Sequence, residues 1–429
     1  MSANGLLLVF GLVTSTLAAR LLGPQGRGEL AAVQNLVGLV SVLALIGLPD
    51  AVTYMTSKEQ NASGELLVTA VLISGAVAVA LVLLAIFFIP ILLGSQRESI
   101  LDIGRYYLLS VFIYSVAGLP YNSLQGSLKM NVWNMLKMVS PTLWLGTLVL
   151  SWLSSPSFPI PAEYVLRLHL IALMLYPLVV LPITKRFISG PYRFSTRAAR
   201  QLTRYGLPSF LSVALQQLKL RLDQLLMAVF LPPRVLGLYA VSVAWSAIAP
   251  LIINAIGQVA LPSIANVKAS QDRKVVSKMM RGSVIVACIL TTTWGFVTPL
   301  VFLRLMGEQF REALGILVLL IPAAGVTAMN SVASQILKGL GRPKDAMFVE
   351  MAGLAATFIL LAVLLVPYQL VGASWASLIS CLVSFAFALH RIARATSLSM
   401  SELLIPRLSD WASLKGLMFR VFRIRGSNY

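Results

Sequence analysis

Apolar runs without a single Asp, Glu, Lys or Arg dominate the chain: Met1 to Ala19, Leu30 to Pro49, Leu66 to Leu93, Tyr106 to Leu128, Met138 to Ala162, Val235 to Val267, Gly282 to Leu303 and Ala313 to Leu337. A bilayer core about 30 Å thick needs roughly 20 such residues per helix, so each run predicts one crossing. The run Met351 to Leu389 is long enough for two, with Pro367-Tyr368-Gln369 as the turn between them. Two less pure spans complete the pattern: Tyr164 to Thr184 carries Arg167 and His169, and Tyr205 to Leu231 carries three charges. The pattern predicts an all-α polytopic membrane protein of about 12 transmembrane helices.

Composition agrees, with 58% hydrophobic and 11% charged residues in 429 and a mean hydropathy of +0.85. The first charged residue is Arg20, so the first segment lacks the basic start of a cleaved signal peptide and is expected to stay as a helix. Cys288 and Cys381 each lie inside an apolar run, which points away from disulfides and Cys-based metal sites. The net charge of +19 finds its explanation in where the basic residues fall. With the N-terminus inside, twenty-four lie in the even-numbered loops and the tail and eight on the other side, while Lys219 and Arg221 remain within a helix. That asymmetry puts both termini in the cytoplasm and removes the need for a nucleic-acid partner.

Two cytoplasmic connections are longer than the rest, Lys185 to Arg204 and Pro262 to Arg281. The first divides the chain into residues 1–190, a basic linker 191–204, residues 205–392 and a basic amphipathic tail 393–429. Arg193, Arg197, Arg200 and Arg204 recur at helical spacing, which predicts either a surface helix on anionic lipid or a plain positive-inside loop. Across the divide an internal repeat is visible. Leu22-Gly23-Pro24 with Gly28 matches Leu231-Pro232-Pro233 with Gly237, and Asn122-Ser123 with Gly126 and Lys129 matches Asn330-Ser331 with Gly339 and Arg342. Six helices per half is an even number, so the repeat predicts two pseudo-symmetric six-helix lobes of the same topology, a transporter pattern.

The seventh span holds the candidate chemistry. Gln216, Gln217, Lys219, Arg221, Asp223 and Gln224 cover one arc of a helix whose other face is Leu211, Leu215, Leu218, Leu222, Leu225 and Leu226. Each central Lys, Arg or Asp costs roughly 2.5–3.5 kcal/mol against lipid, so the arc is expected to face protein or water. The competing expectation is that Asp223 merely neutralises Lys219 one turn away. Gln34, Asn35, Tyr114, Asn122, Gln125, Asn254, Gln258, Asn330 and Gln335 are polar groups expected either to line a cavity or to bond neighbouring helices, the second being the better expectation for any one of them. Two distant His, His169 and His390, and the absence of a phosphate-loop ending after Gly339-Leu340-Gly341-Arg342 leave no enzymatic constellation.

The stretch Ala19-Arg20-Leu21-Leu22-Gly23-Pro24-Gln25-Gly26-Arg27-Gly28-Glu29-Leu30-Ala31 resembles the first external turn of polysaccharide-biosynthesis flippases of the Wzx type, in the multidrug/oligosaccharidyl-lipid/polysaccharide exporter superfamily. Asp223 with Leu231 to Ala240 resembles that family's seventh-helix pattern. Gln125-Gly126 with Lys129, and Lys338 to Arg342, resemble its short inner turns. Glu29 and Leu236 depart from it, where hydrophobic or aromatic residues are common. The resemblance implies alternating access in a bacterial inner membrane and a polyprenyl-diphosphate-linked oligosaccharide as substrate, alongside membrane lipids and glycan-assembly proteins. Under it, Gln216, Gln217, Lys219, Arg221, Gln224 and Arg20 are expected to bind substrate and Asp223 to balance charge or couple. No cofactor is expected beyond a coupling proton or sodium ion. Two other readings stand beside this one. A multidrug extruder of the same superfamily should prefer an acidic cavity, and a membrane-embedded glycan polymerase or transferase should carry a sizeable external loop, where Ser154 to Glu163 is short.

Overall fold

In the computed structural model, residues 3–155, 158–248, 253 and 272–405 are described. These residues form helices and no strands. Eight helices are long and apolar enough to cross a membrane, and two of them contain a break that divides them. Helix α1 (Ala3–Leu45) turns at Gly23, with φ 65°, and resumes at Pro24. Glycine enters this conformation without a Cβ clash, and proline suits the first turn of the helix that follows. The predicted first two crossings are therefore one helix with a turn in it. After α2 (Leu48–Lys58) come α3 (Ser63–Leu92), the pair α4 (Glu98–Tyr107) and α5 (Ser110–Gly126), the pair α6 (Met130–Lys137) and α7 (Val139–Ser154), and the pair α8 (Ala162–Leu173) and α9 (Leu175–Lys185).

The chain continues through α10 (Thr196–Phe230), α11 (Pro233–Ser246), α12 (Asp272–Met306) and α13 (Ala313–Gly339) to α14 (Pro343–Thr396) and the short α15 (Met400–Leu404). Helix α14 breaks at Gln369, with φ 44°, inside the predicted turn. Its two segments run antiparallel, because Ser384 Oγ donates to the Val349 carbonyl at 3.2 Å and Arg391 Nη1 donates to Asp345 at 3.2 Å. Counting both divided helices, and adding α10 and α11, these elements fit about twelve crossings. Large apolar side chains such as Phe87, Leu153, Phe296 and Val318 are exposed, as helices solvated by lipid require.

The basic linker differs from a surface helix. Arg197, Arg200 and Arg204 belong to the first turns of α10 itself, and Arg193 precedes it. At about 1.5 Å per residue this 35-residue helix exceeds the bilayer core, so its basic start projects beyond the apolar zone. The strip before it is pinned to the start of α3. Ser63 Oγ donates to the Ser189 carbonyl at 3.0 Å, the Ser189 amide donates to Ser63 Oγ at 2.8 Å, and the Ser195 amide donates to Thr69 at 3.1 Å. Ser195 then caps α10 by accepting from the Ala198 amide.

Two compact units emerge. The first comprises residues 1–244 with 303–313 and 365–370, so it takes in α10 and most of α11; the second comprises 245–302, 314–364 and 371–429. Within the second, Val326, Val332, Ile336, Val349, Phe385 and Leu389 are part of a continuous apolar core. The basic tail beyond residue 405, together with Asn254, Gln258 and Lys268, lies outside the described residues.

A cationic group between α1 and α10

Helix α10 lies antiparallel along the second segment of α1, and the approach is close at both ends of that segment. Just past its C-terminal end a Cβ on Gly47 would stand 2.2 Å from the Gly206 carbonyl. At its N-terminal end the two repeat motifs meet each other. A Cβ on Gly28 would stand 1.7 Å from the Pro233 carbonyl and 2.8 Å from the Gly237 amide; one on Gly237 would stand 1.7 Å from the Pro24 carbonyl and 2.8 Å from the Gly28 amide. The contact is reciprocal, as a two-fold relation between the repeats requires. Small residues here let the backbones touch.

Between these crossings lies the polar arc. Arg221 Nη1 donates to Asn35 Oδ1 at 3.1 Å, and Asn35 Nδ2 donates to Gln224 Oε1 at 2.8 Å. The guanidinium lies where a side chain on α1 would otherwise be: a Cβ on Gly38 would be 2.5 Å from Arg221 Nη1. Asp223 is bonded from a third helix. Tyr239 Oη, from the fully buried Tyr239 of α11, donates to Asp223 Oδ2 at 2.6 Å, and the Gln224 amide donates to Oδ1 at 2.7 Å. Arg221 is bonded to the neutral amide of Asn35.

The structure brings together Asn35, Arg221, Asp223, Gln224 and Tyr239. Gln217 and Lys219 are half-buried on the same helix, and the side chain of Gln216 lies outside the described residues. Arg20 is engaged elsewhere, donating to the carbonyls of Leu305 and Arg304 at the C-terminal end of α12, where a cation suits the helix dipole. Arg27 joins the candidates. Its Nε is buried without a hydrogen-bond partner, and at 100° per residue it shares a face of α1 with Gln34 and Gly38. A buried donor left unpaired costs about 1–3 kcal/mol, which a ligand anion would recover. Sequence reasoning counted Arg27 as a loop charge. The roles of Gly38 and Tyr239 are visible only in the packed structure, where α1 and α11 meet α10.

Glu29, on another face of α1, is fully buried and accepts from Arg97 Nε and Nη2, both at 2.8 Å, and from Gln25 at 3.2 Å. The hydrogen bond to Glu29 holds the Arg97 guanidinium above its ordinary pKa. This pair explains the departure at Glu29: the residue anchors the loop between α3 and α4 to the turn of α1.

Arg221, Asn35 and Gln224 thus form a bonded set of one guanidinium and two amides between α1 and α10. The chain is similar to the probable low-salt glycan biosynthesis flippase Agl15 of Haloferax volcanii, at 22% identity over 394 residues, covering 89% of this chain and 80% of that protein. Its fold resembles a lipid II flippase MurJ in an inward closed conformation, with TM-score 0.77 at 13% identity over 100% of this chain and 93% of the other. It also resembles an inward-facing multidrug resistance MATE family transporter of the MOP superfamily, with TM-score 0.69 at 15% identity over 91% and 96%. The model of the polysaccharide biosynthesis protein family matches residues 1–268. This chain, a multi-pass membrane protein, belongs to that family of polysaccharide biosynthesis proteins.

Proposed function

We propose that the protein is a flippase: it carries a polyprenyl-diphosphate-linked oligosaccharide from the cytoplasmic to the outer leaflet of the plasma membrane, the inner membrane of a two-membrane cell. It is a transporter and not an enzyme, its termini are cytoplasmic, and the two six-helix lobes alternate access to the substrate. The observation that carries this reading is the placement of Arg221 over Gly38, bonded to Asn35, while Asp223 is occupied by Tyr239. A lipid diphosphate needs fixed cations at membrane depth, and a sugar needs amides; Arg27, Lys219 and Arg221 supply the first, Asn35, Gln217 and Gln224 the second. The prenyl chain stays in lipid. Agl15 and MurJ, whose names state a flippase role, support the same reading.

The multidrug neighbour shares the fold, so the sign of the site decides between the two activities. Organic cations call for carboxylates, and here the single carboxylate of the group is already bonded. In cells lacking the native protein, a Lys219→Ala, Arg221→Ala double variant should insert normally and lose surface glycan. Normal glycan with full protein level would remove this group from the mechanism, and cation efflux in place of glycan export would favour the multidrug reading.

A further inference from the structure

The basic strip that joins α9 to α10 lies apart from the Arg221 group, its last cation Arg204 being about 25 Å back along α10. From Lys185 to Arg204 it carries six cations, Lys185, Arg186, Arg193, Arg197, Arg200 and Arg204, and no Asp or Glu. All six are exposed. Glu65 near the start of α3 takes one of them, accepting from Arg193 Nε at 3.3 Å. Helix α9 ends one apolar span at Lys185 and α10 starts at Thr196, so the strip between them lies where the chain meets the lipid headgroups.

The strip is fastened to α3. Beside the two bonds between Ser63 and Ser189, the Gly64 amide donates to the Ser189 carbonyl at 2.9 Å, and a Cβ on Gly190, at φ 89°, would stand 2.1 Å from the Asn61 carbonyl. Arg193 and Ser195 both bond α3, through Glu65 and Thr69. Tyr192 and Phe194, which alternate with them, are instead 54% and 51% exposed. Past the cap at Ser195 the pattern turns helical. Ala198 and Leu202 are buried with Leu66, Leu67 and Ala70 of α3, while the exposed Arg197, Arg200 and Arg204 fall within about 60° of one another around α10. This end of the first unit therefore presents two aromatic rings next to a row of guanidinium groups, with a single carboxylate among them.

We propose that the strip, through Tyr192, Arg193, Phe194, Arg197 and Arg200, binds the headgroups of anionic phospholipids. Exposed Tyr and Phe rings at a membrane face settle among the headgroups with their apolar bodies toward the acyl chains. Guanidinium groups take phosphate oxygens through paired N–H donors, and each adds to the attraction of an anionic surface. A zwitterionic headgroup brings its own cation and is attracted less. Because the same strip is bonded to α3 and leads into α10, a headgroup held by Arg193 and Arg197 ties those two helices together. The binding does not rest on the flippase reading.

The test uses the purified full-length protein in neutral detergent, measuring lipid binding by native mass spectrometry and thermal unfolding against added phosphatidylglycerol. Phosphatidylcholine with the same chains and soluble glycerol 3-phosphate are the comparison arms. Wild type should bind phosphatidylglycerol and be stabilised by it in a saturable way, with no response to glycerol 3-phosphate and at least tenfold weaker binding of phosphatidylcholine. An Arg193→Gln, Arg197→Gln, Arg200→Gln variant should bind phosphatidylglycerol on the order of a hundredfold more weakly, roughly fivefold per charge. Lysine at the same three positions keeps the charge and should retain most of the binding. A Tyr192→Ser, Phe194→Ser variant should weaken it several-fold. Removing three exposed cations from the second unit, with Lys338→Gln, Lys344→Gln and Arg394→Gln, should leave it as in wild type. Equal responses to the two lipids, a response to glycerol 3-phosphate alone, wild-type binding by the three-Gln strip variant, or an equal loss in the second-unit variant would each overturn the site. No glycan enters this assay, so a negative result in the export experiment leaves it untouched.

Discussion

At the scale of single residues, Gly38 makes the room that Arg221 occupies. A Cβ at that position would stand 2.5 Å from Arg221 Nη1, so Gly38→Ala displaces the guanidinium from Asn35. Losing a charge-assisted hydrogen bond costs about 1.5–3 kcal/mol, so export per inserted molecule should fall roughly ten- to a hundredfold. In an Arg221→Ala background the same change should cost almost nothing further, because the room it removes is no longer used. Additive losses in surface glycan would show that Gly38 acts otherwise. Asp223 gives a second residue-scale prediction. Tyr239→Phe removes the 2.6 Å hydrogen bond to its carboxylate and should lower the melting temperature of the purified protein more than Asp223→Asn does, since it leaves a buried carboxylate short of a donor. An unchanged melting temperature for Tyr239→Phe would contradict that geometry. The seventh-helix arc was legible in the sequence because charges in a leucine-rich helix demand a polar face. Gly38 and Tyr239 were not, since their roles arise only when α1 and α11 come against α10.

Elements carry the next level. The repeat found as matching Pro and Gly positions is realised as two helix starts in mutual contact, Gly28 against Pro233 and Gly237 against Pro24. Overpacking such a contact costs about 1–3 kcal/mol, and the reciprocity means that Gly28→Ala and Gly237→Ala should destabilise the purified protein by similar amounts. A large loss from one and none from the other would break the two-fold relation. The buried Glu29 behaves asymmetrically with its partner. Arg97→Ala leaves a buried carboxylate unpaired, so it should lower thermal stability more than Glu29→Gln does. Helix existence was readable from charge-free runs, and the turn at Gln369 fell inside the expected Pro367-Tyr368-Gln369. The linker was less readable. Helical spacing of Arg197, Arg200 and Arg204 was correctly seen, but periodicity cannot tell a separate surface helix from the projecting start of a long transmembrane one.

For the whole molecule, the proposed orientation rests on the basic residues, and reporter fusions after Lys58, Lys129, Arg200, Lys344 and Arg394 are expected to report the cytoplasm and those near Arg97, Arg234 and Glu308 the outside. An inverted pattern would place the cationic group at the wrong end of the proposed cycle. In the proposed reading, the guanidinium of Arg221 between α1 and α10 is what holds the lipid diphosphate. The most direct measurement reconstitutes the full chain in vesicles with a polyprenyl-diphosphate-linked oligosaccharide and follows the fraction of glycan reaching the opposite leaflet. Wild type should translocate it above the rate of empty vesicles, and an equally inserted Arg27→Ala, Arg221→Ala double variant should lose most of that activity. Translocation by the double variant at the wild-type rate would contradict the account.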